Sequence, residues 1–129
     1  MPYLSYGDLE VYQLAHRLAV EVHEATMELP KFEMFEEGSQ LHRSSKSVCG
    51  NIAEGFGRRK YKNEFVRFLV YALASCDETR AHLDLLFGTG SLARADLYKQ
   101  FTDAYDELGR KLRRFLRPVE RCHMTRITL

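Results

Sequence analysis

Gly50-Asn51-Ile52-Ala53-Glu54-Gly55-Phe56-Gly57-Arg58 and the segment that answers it, Glu64-Phe65-Val66-Arg67-Phe68-Leu69, decide the fold. The first run brings an amphipathic pattern to an end on two glycines. The second opens another after the short basic connection Arg58-Arg59-Lys60-Tyr61-Lys62. Glycine at a helix end and a new apolar period a few residues later are how two antiparallel helices are joined. The remaining apolar pattern is read outward from that hairpin.

Charged residues inside the hairpin suggest a register. Arg43 and Glu54 are eleven residues apart, three helical turns, and Arg67 and Glu78 repeat the spacing on the next helix. A turn centred between Lys60 and Tyr61 sets Glu54 opposite Arg67 and Arg43 opposite Glu78. Both are predicted to form cross-helix ion pairs with at least partial burial, an architectural role.

N-terminal to the hairpin, Leu9, Tyr12, Ala15, Ala19, Val22, Thr26 and Leu29 recur at three-and-four spacing, with Asp8 as the expected cap and Pro30 as the stop. Lys31 to Glu37 form an acidic connection with Phe32 and Phe35 turned inwards. A second helix starts between Glu33 and Ser39 and carries the inward row Leu41, Ser45, Val48, Ile52 and Phe56. Ser44, Ser47, Gly50 and Asn51 keep an adjacent strip small, and close packing would explain Gly50 inside a helix.

Asn63 is the expected cap of the third helix, whose row is Phe65, Leu69, Ala72, Cys76, Thr79, Leu83 and Leu86. Gly88 and Gly90 end it. Ser91 caps a fourth helix with Leu97, Phe101, Ala104, Leu108, Leu112 and Phe115 inward, and Pro118 stops it. Four helices on short connections predict an all-α, up-down-up-down four-helix bundle over residues 1–117, followed by a basic tail over 118–129.

Composition agrees with one domain. A chain of 129 residues, 45% of them hydrophobic, is long enough to bury a single core. No apolar run reaches the roughly 18 residues of a membrane span, and the first residues lack the pattern of a signal peptide, so a cytoplasmic protein is expected. Three cysteines without a CxxC or Cys/His ligand pattern read as idle thiols. The formal net charge of +1 conceals an asymmetry: residues 1–42 hold eight acidic and two basic side chains, and residues 43–129 hold ten and seventeen.

Bundle topology gathers Arg58, Arg59, Lys60 and Lys62 at one end with the basic stretch Arg110, Lys111, Arg113, Arg114 and Arg117, while Glu33, Glu36 and Glu37 occupy the other. A basic end of this kind can bind the phosphates of RNA or DNA, with Tyr61 stacking on a base. Cations are also favoured at any helix C-terminus, so the charge has an ordinary reading as well. Asp77, Glu78 and His82 suggest half a metal site, but the paired Glu-x-x-His motifs of metal-binding bundles are missing. No catalytic residue, metal or cofactor is assigned. Val11, Leu14, Leu18, Val66, Val70, Tyr71 and Leu73 supply more apolar surface than one inward stripe needs, which points to a homo-oligomer.

Asn51 to Arg58, Glu64 to Leu69 and Ala74-Ser75-Cys76-Asp77-Glu78-Thr79, with Asp8-Leu9-Glu10-Val11-Tyr12 and Gln40-Leu41-His42-Arg43, resemble the bacterial four-helix bundle proteins encoded in intervening sequences of 23S ribosomal RNA genes. The resemblance spans about residues 8–116. It implies a ring, commonly a pentamer, with no established enzymatic activity. It also implies kinship with accessory proteins of diversity-generating retroelements, basic pentamers that bind nucleic acid and a reverse transcriptase. Cys49-Gly50 departs from the Pro-Ser usual in the family, Tyr61 stands near a common serine, and the tail lies outside the likeness. The expectation is a non-enzymatic oligomeric nucleic-acid-binding or adaptor module; the alternative is a scaffold that binds only protein.

Overall fold

A computed structural model describes residues 5–121. Four helices, α1 (Glu10–Thr26), α2 (Glu37–Gly57), α3 (Lys62–Gly88) and α4 (Ala95–Arg121), form an all-α bundle. Short 3-10 turns at Tyr6–Asp8 and Lys31–Phe35 precede α1 and α2. Sequential helices pack side by side and α1 closes against α4, giving the up-down-up-down order. The expected inward rows of α2 and α3 are buried throughout. In α4, Phe101, Leu108 and Leu112 are buried with Tyr105 and Leu116, whereas Leu97, Ala104 and Phe115 pack at the core margin.

The α2–α3 register is close to the expected one, but small residues set it. The Ser47 and Ser75 hydroxyls lie 3.0 Å apart, and Thr79 Oγ1 lies 2.9 Å from Ser44 Oγ. Gly55 is pressed against α3, where a Cβ would stand 3.0 Å from that of Phe68. The glycine that permits close approach is therefore Gly55; Gly50 is exposed, with open space where a side chain would go.

The expected ion pairs Glu54–Arg67 and Arg43–Glu78 do not form, and all four residues are exposed. Glu54 accepts from Arg58 at 2.9 Å, Arg67 turns to Glu64 and the Tyr71 hydroxyl, and Glu78 lies 3.4 Å from His82. Local partners three or four residues away on the same helix need less ordering of long side chains than partners across an interface lined by serine and glycine.

Element ends differ as well. Asp8 lies in the first 3-10 turn, where its carboxylate accepts from the Ser5 amide, and Leu9 occupies the α1 cap position. Tyr61, not Asn63, holds that position on α3. The last helix starts at Ala95 rather than after Ser91, because Leu92 is tucked into the core with its amide on the Leu86 carbonyl. Pro118 does not stop α4, which runs past the expected boundary at 117 to Arg121. One missing amide is tolerated where the following Val119 is buried. Residues 122–129, including Cys122 and most of the expected tail, lie outside the described residues.

The acidic connection reverses expectation most sharply. Phe32 and Phe35 are 58% and 89% exposed, and Glu33 between them is buried. A Cβ on Gly38 would sit 2.5 Å from the Glu33 carbonyl oxygen, so the turn is pressed onto the start of α2 in a way that faces the rings outward.

Candidate nucleic-acid interface

The α2–α3 turn and the last turns of α4 share one end of the bundle. Phe65, in the first turns of α3, meets Phe115 edge-on at 6.1 Å, and Lys111 contacts Glu10 at the start of α1. From Lys111, α4 continues for ten residues, about 15 Å, beyond the first turn of α1. Arg114, Arg117 and Arg121 lie on one face of that overhang at helical spacing, with Arg110 one turn before it on the same face, while Leu116 and Val119 on the other face stay buried.

The expected site residues divide by how their charge is used. Arg58 is held by Glu54 and by Glu64 at 2.8 Å and lies over the Phe68 ring at 5.0 Å; the hydrogen bonds it donates to Glu54 raise its pKa. Arg59 stacks on Phe56 at 4.1 Å and donates to the Phe56 carbonyl. Arg110 pairs with Asp106. Lys111 pairs with Glu10, and its hydrogen bond keeps that carboxyl below the usual range. Among the described residues, Lys60, Lys62, Arg113, Arg114 and Arg117 make no ion pair. Tyr61 stands 62% exposed with Lys60 Nζ 5.8 Å from its ring. The turn residues Arg58 to Lys62 and the end of α4 thus share one end, but Arg110 and Arg113 turn back along α4 towards Asp106 and Gly109, and only part of the set's charge is left uncompensated.

The half metal site resolves into something else. His82 is shared between helices: Nδ1 lies 2.6 Å from Glu37 Oε2, and Nε2 faces Glu78. Both ring nitrogens are thereby engaged by carboxylates. No group of three or more potential ligands among the described residues is arranged to hold a metal. A second histidine arrangement was not foreseen: His23 stacks on His42 at 4.5 Å, and the His42 ring meets the Thr26 hydroxyl. Burial, then the neighbouring His23, lower the His42 pKa. Burial pushes the Cys49 thiol up to about 11 and that of Cys76 up to about 12, so both are protonated and poor nucleophiles at neutral pH.

Glu37 and His82 are 45 positions apart, so no local spacing could have joined them.

No helix of the described residues is long and apolar enough to cross a membrane. The fold is similar to that of a protein of unknown function from the S23 ribosomal protein family of Bacteroides thetaiotaomicron VPI-5482. The TM-score is 0.73 at 23% identity, covering 83% of this chain and 95% of that one. No curated protein matches the chain. Residues 7–114 match the 23S rRNA-intervening sequence proteins across most of the bundle, and the chain belongs to that family.

Proposed function

We propose that this protein is a non-enzymatic, homo-oligomeric adaptor of the cytoplasm that takes RNA or DNA at its basic end. The observation that carries this reading is the set of cations without ion pairs, Lys60 and Lys62 flanking the exposed ring of Tyr61 and Arg113, Arg114 and Arg117 on the last turns of α4. Phosphates release counterions when such side chains neutralise them, and an aromatic face accepts any base. Arg58, Arg59, Arg110 and Lys111 add field rather than direct contacts, because carboxylates or rings already hold them. A nucleic-acid-processing enzyme such as a reverse transcriptase fits as the protein partner of such an adaptor, and the pentameric ring number rests on family resemblance.

Size-exclusion chromatography with light scattering, with and without mixed RNA and DNA at two salt concentrations, tests the reading. Binding is expected to weaken steeply with salt. Replacing Arg113, Arg114 and Arg117 by alanine should lower affinity at least about tenfold and flatten the log–log salt slope by about 3, one for each phosphate contact. Binding that ignores salt, or that the triple variant leaves intact, would overturn the assignment. A particle that ignores nucleic acid altogether favours the protein-only scaffold, a reading supported by the apolar residues left outside on α3.

A further inference from the structure

The end of the bundle opposite the basic one has its own unusual surface. Residues 24–37 contain five glutamates against one lysine, interleaved with Met27, Leu29, Phe32, Met34 and Phe35. Met27 is 63% exposed at the end of α1, and Phe32 and Phe35, three residues apart in the 3-10 turn and so on one side of it, are likewise left outside the core. The α3–α4 connection reaches the same end: Arg94 feels the charge of Glu28, and Leu92 lines an apolar cleft with Leu29 and Leu41.

Single exposed apolar side chains are ordinary on proteins, but several large ones within one short turn are not. In this turn Gly38 lies against the Glu33 backbone where no side chain would fit, and Glu33 is inside while both phenylalanines are outside. Among the described residues, Glu24, Glu28 and Glu36 in the same stretch are exposed and make no ion pair. The surface therefore offers aromatic and thioether groups, which adapt to varied apolar shapes, beside carboxylates that outnumber the nearby cations Lys31 and Arg94.

We propose that this acidic aromatic end docks a basic amphipathic helix from a protein partner. The apolar face of such a helix covers Met27, Phe32 and Phe35, and the lysines or arginines flanking that face meet Glu24, Glu28 and Glu36. The choice of occupant follows from charge complementarity. A neutral apolar partner leaves these carboxylates partly desolvated and unpaired, an acidic one is repelled, and a basic one satisfies both features. The site lies at the other end of the bundle from the nucleic-acid surface and stands or falls separately from it. With both in place, one molecule holds a nucleic acid at one end and a basic protein segment at the other.

The test uses the full chain and a fluorescein-labelled peptide of about 18 leucines and lysines, ordered to form an amphipathic helix. The control has the same composition, scrambled so that no apolar face forms. Anisotropy titration is expected to show micromolar binding of the ordered peptide alone. Phe32→Ser with Phe35→Ser should weaken it at least about tenfold, and Glu28→Gln with Glu36→Gln should weaken it while flattening its salt dependence. All four side chains project from a surface turn or helix end, so thermal melts of both variants should match the parent and exclude misfolding as the cause. Equal binding of the scrambled peptide, or undiminished binding by the phenylalanine variant, would overturn the proposal. So would light scattering of the protein alone showing that the phenylalanine variant dissociates an assembly, since a second copy would then be the occupant.

Discussion

Tyr105 is 1% exposed, and its hydroxyl has no hydrogen-bond partner among the described residues. Burial drives its pKa upward, so the group stays a neutral phenol with an unmet donor and acceptor. An orphaned buried hydroxyl costs about 1–3 kcal/mol, while the ring itself fills space that the core needs. Tyr105→Phe keeps the ring and removes the unmet group. Calorimetry or denaturant unfolding should show a gain of about 1 kcal/mol, or about 4 °C in Tm. A loss of stability instead would mean that an internal water serves the hydroxyl. The ion pairs make a related point about single side chains. Arg43, Glu54, Arg67 and Glu78 have matching spacings in the sequence, yet three of them find local partners and Arg43 makes no ion pair. Spacing shows which residues share a face. It does not show which of several carboxylates within reach of an arginine will be used, because the choices differ by only tenths of a kcal/mol on an exposed surface.

The helices were legible where a long apolar period was at work. The rows from Leu41 to Phe56 and from Phe65 to Leu86 were readable because each repeats over about four turns or more, and no other arrangement hides so many large side chains at once. Their ends were not. Tyr61, Leu92 and Pro118 follow from tertiary packing: Leu92 is more favourably placed in the core than at the start of a longer α4, and buried Val119 keeps α4 helical past its proline. Glycines show the same limit on one helix. Gly50 and Gly55 look alike in sequence, but only Gly55 touches α3. Gly50→Ala should stabilise the protein by about 0.8 kcal/mol through helix propensity. Gly55→Ala should destabilise it by about 1 kcal/mol, because the methyl group must push Phe68 away faster than propensity compensates. Unfolding midpoints of the two variants should therefore move in opposite directions; a shared sign would remove the packing role assigned to Gly55.

At the scale of the whole molecule, α3 sets what the bundle can do next. Its buried row faces the core, yet Val70 and Leu85 are about half exposed, with Ala74 and Ala81 between them on the same outer stripe. This stripe runs at helical spacing for four turns, which suits contact with another copy. For the proposed homo-oligomer, Val70→Asn with Leu85→Asn should reduce the mass seen by light scattering at micromolar concentration, and an unchanged mass would count against this stripe as a contact. The excess of apolar surface was readable from the sequence, but its location was not: Val11 and Leu18, which looked surplus, are consumed by the core, and Val70 and Tyr71 are left over. The family was likewise visible early, whereas which of the clustered cations are neutralised and which are uncommitted required coordinates.

Acidic end and positive overhang stand at opposite poles of a rod about 40 Å long. Such a body feels torque in any external field before it feels contact. Near a polyanion it turns its α4 overhang forward and its aromatic pole away, so an encounter begins already oriented, out to roughly the 8 Å screening distance of physiological salt. If several copies stand side by side with their rods parallel, these poles add, and the assembly acquires two faces of opposite sign instead of a uniformly charged rim.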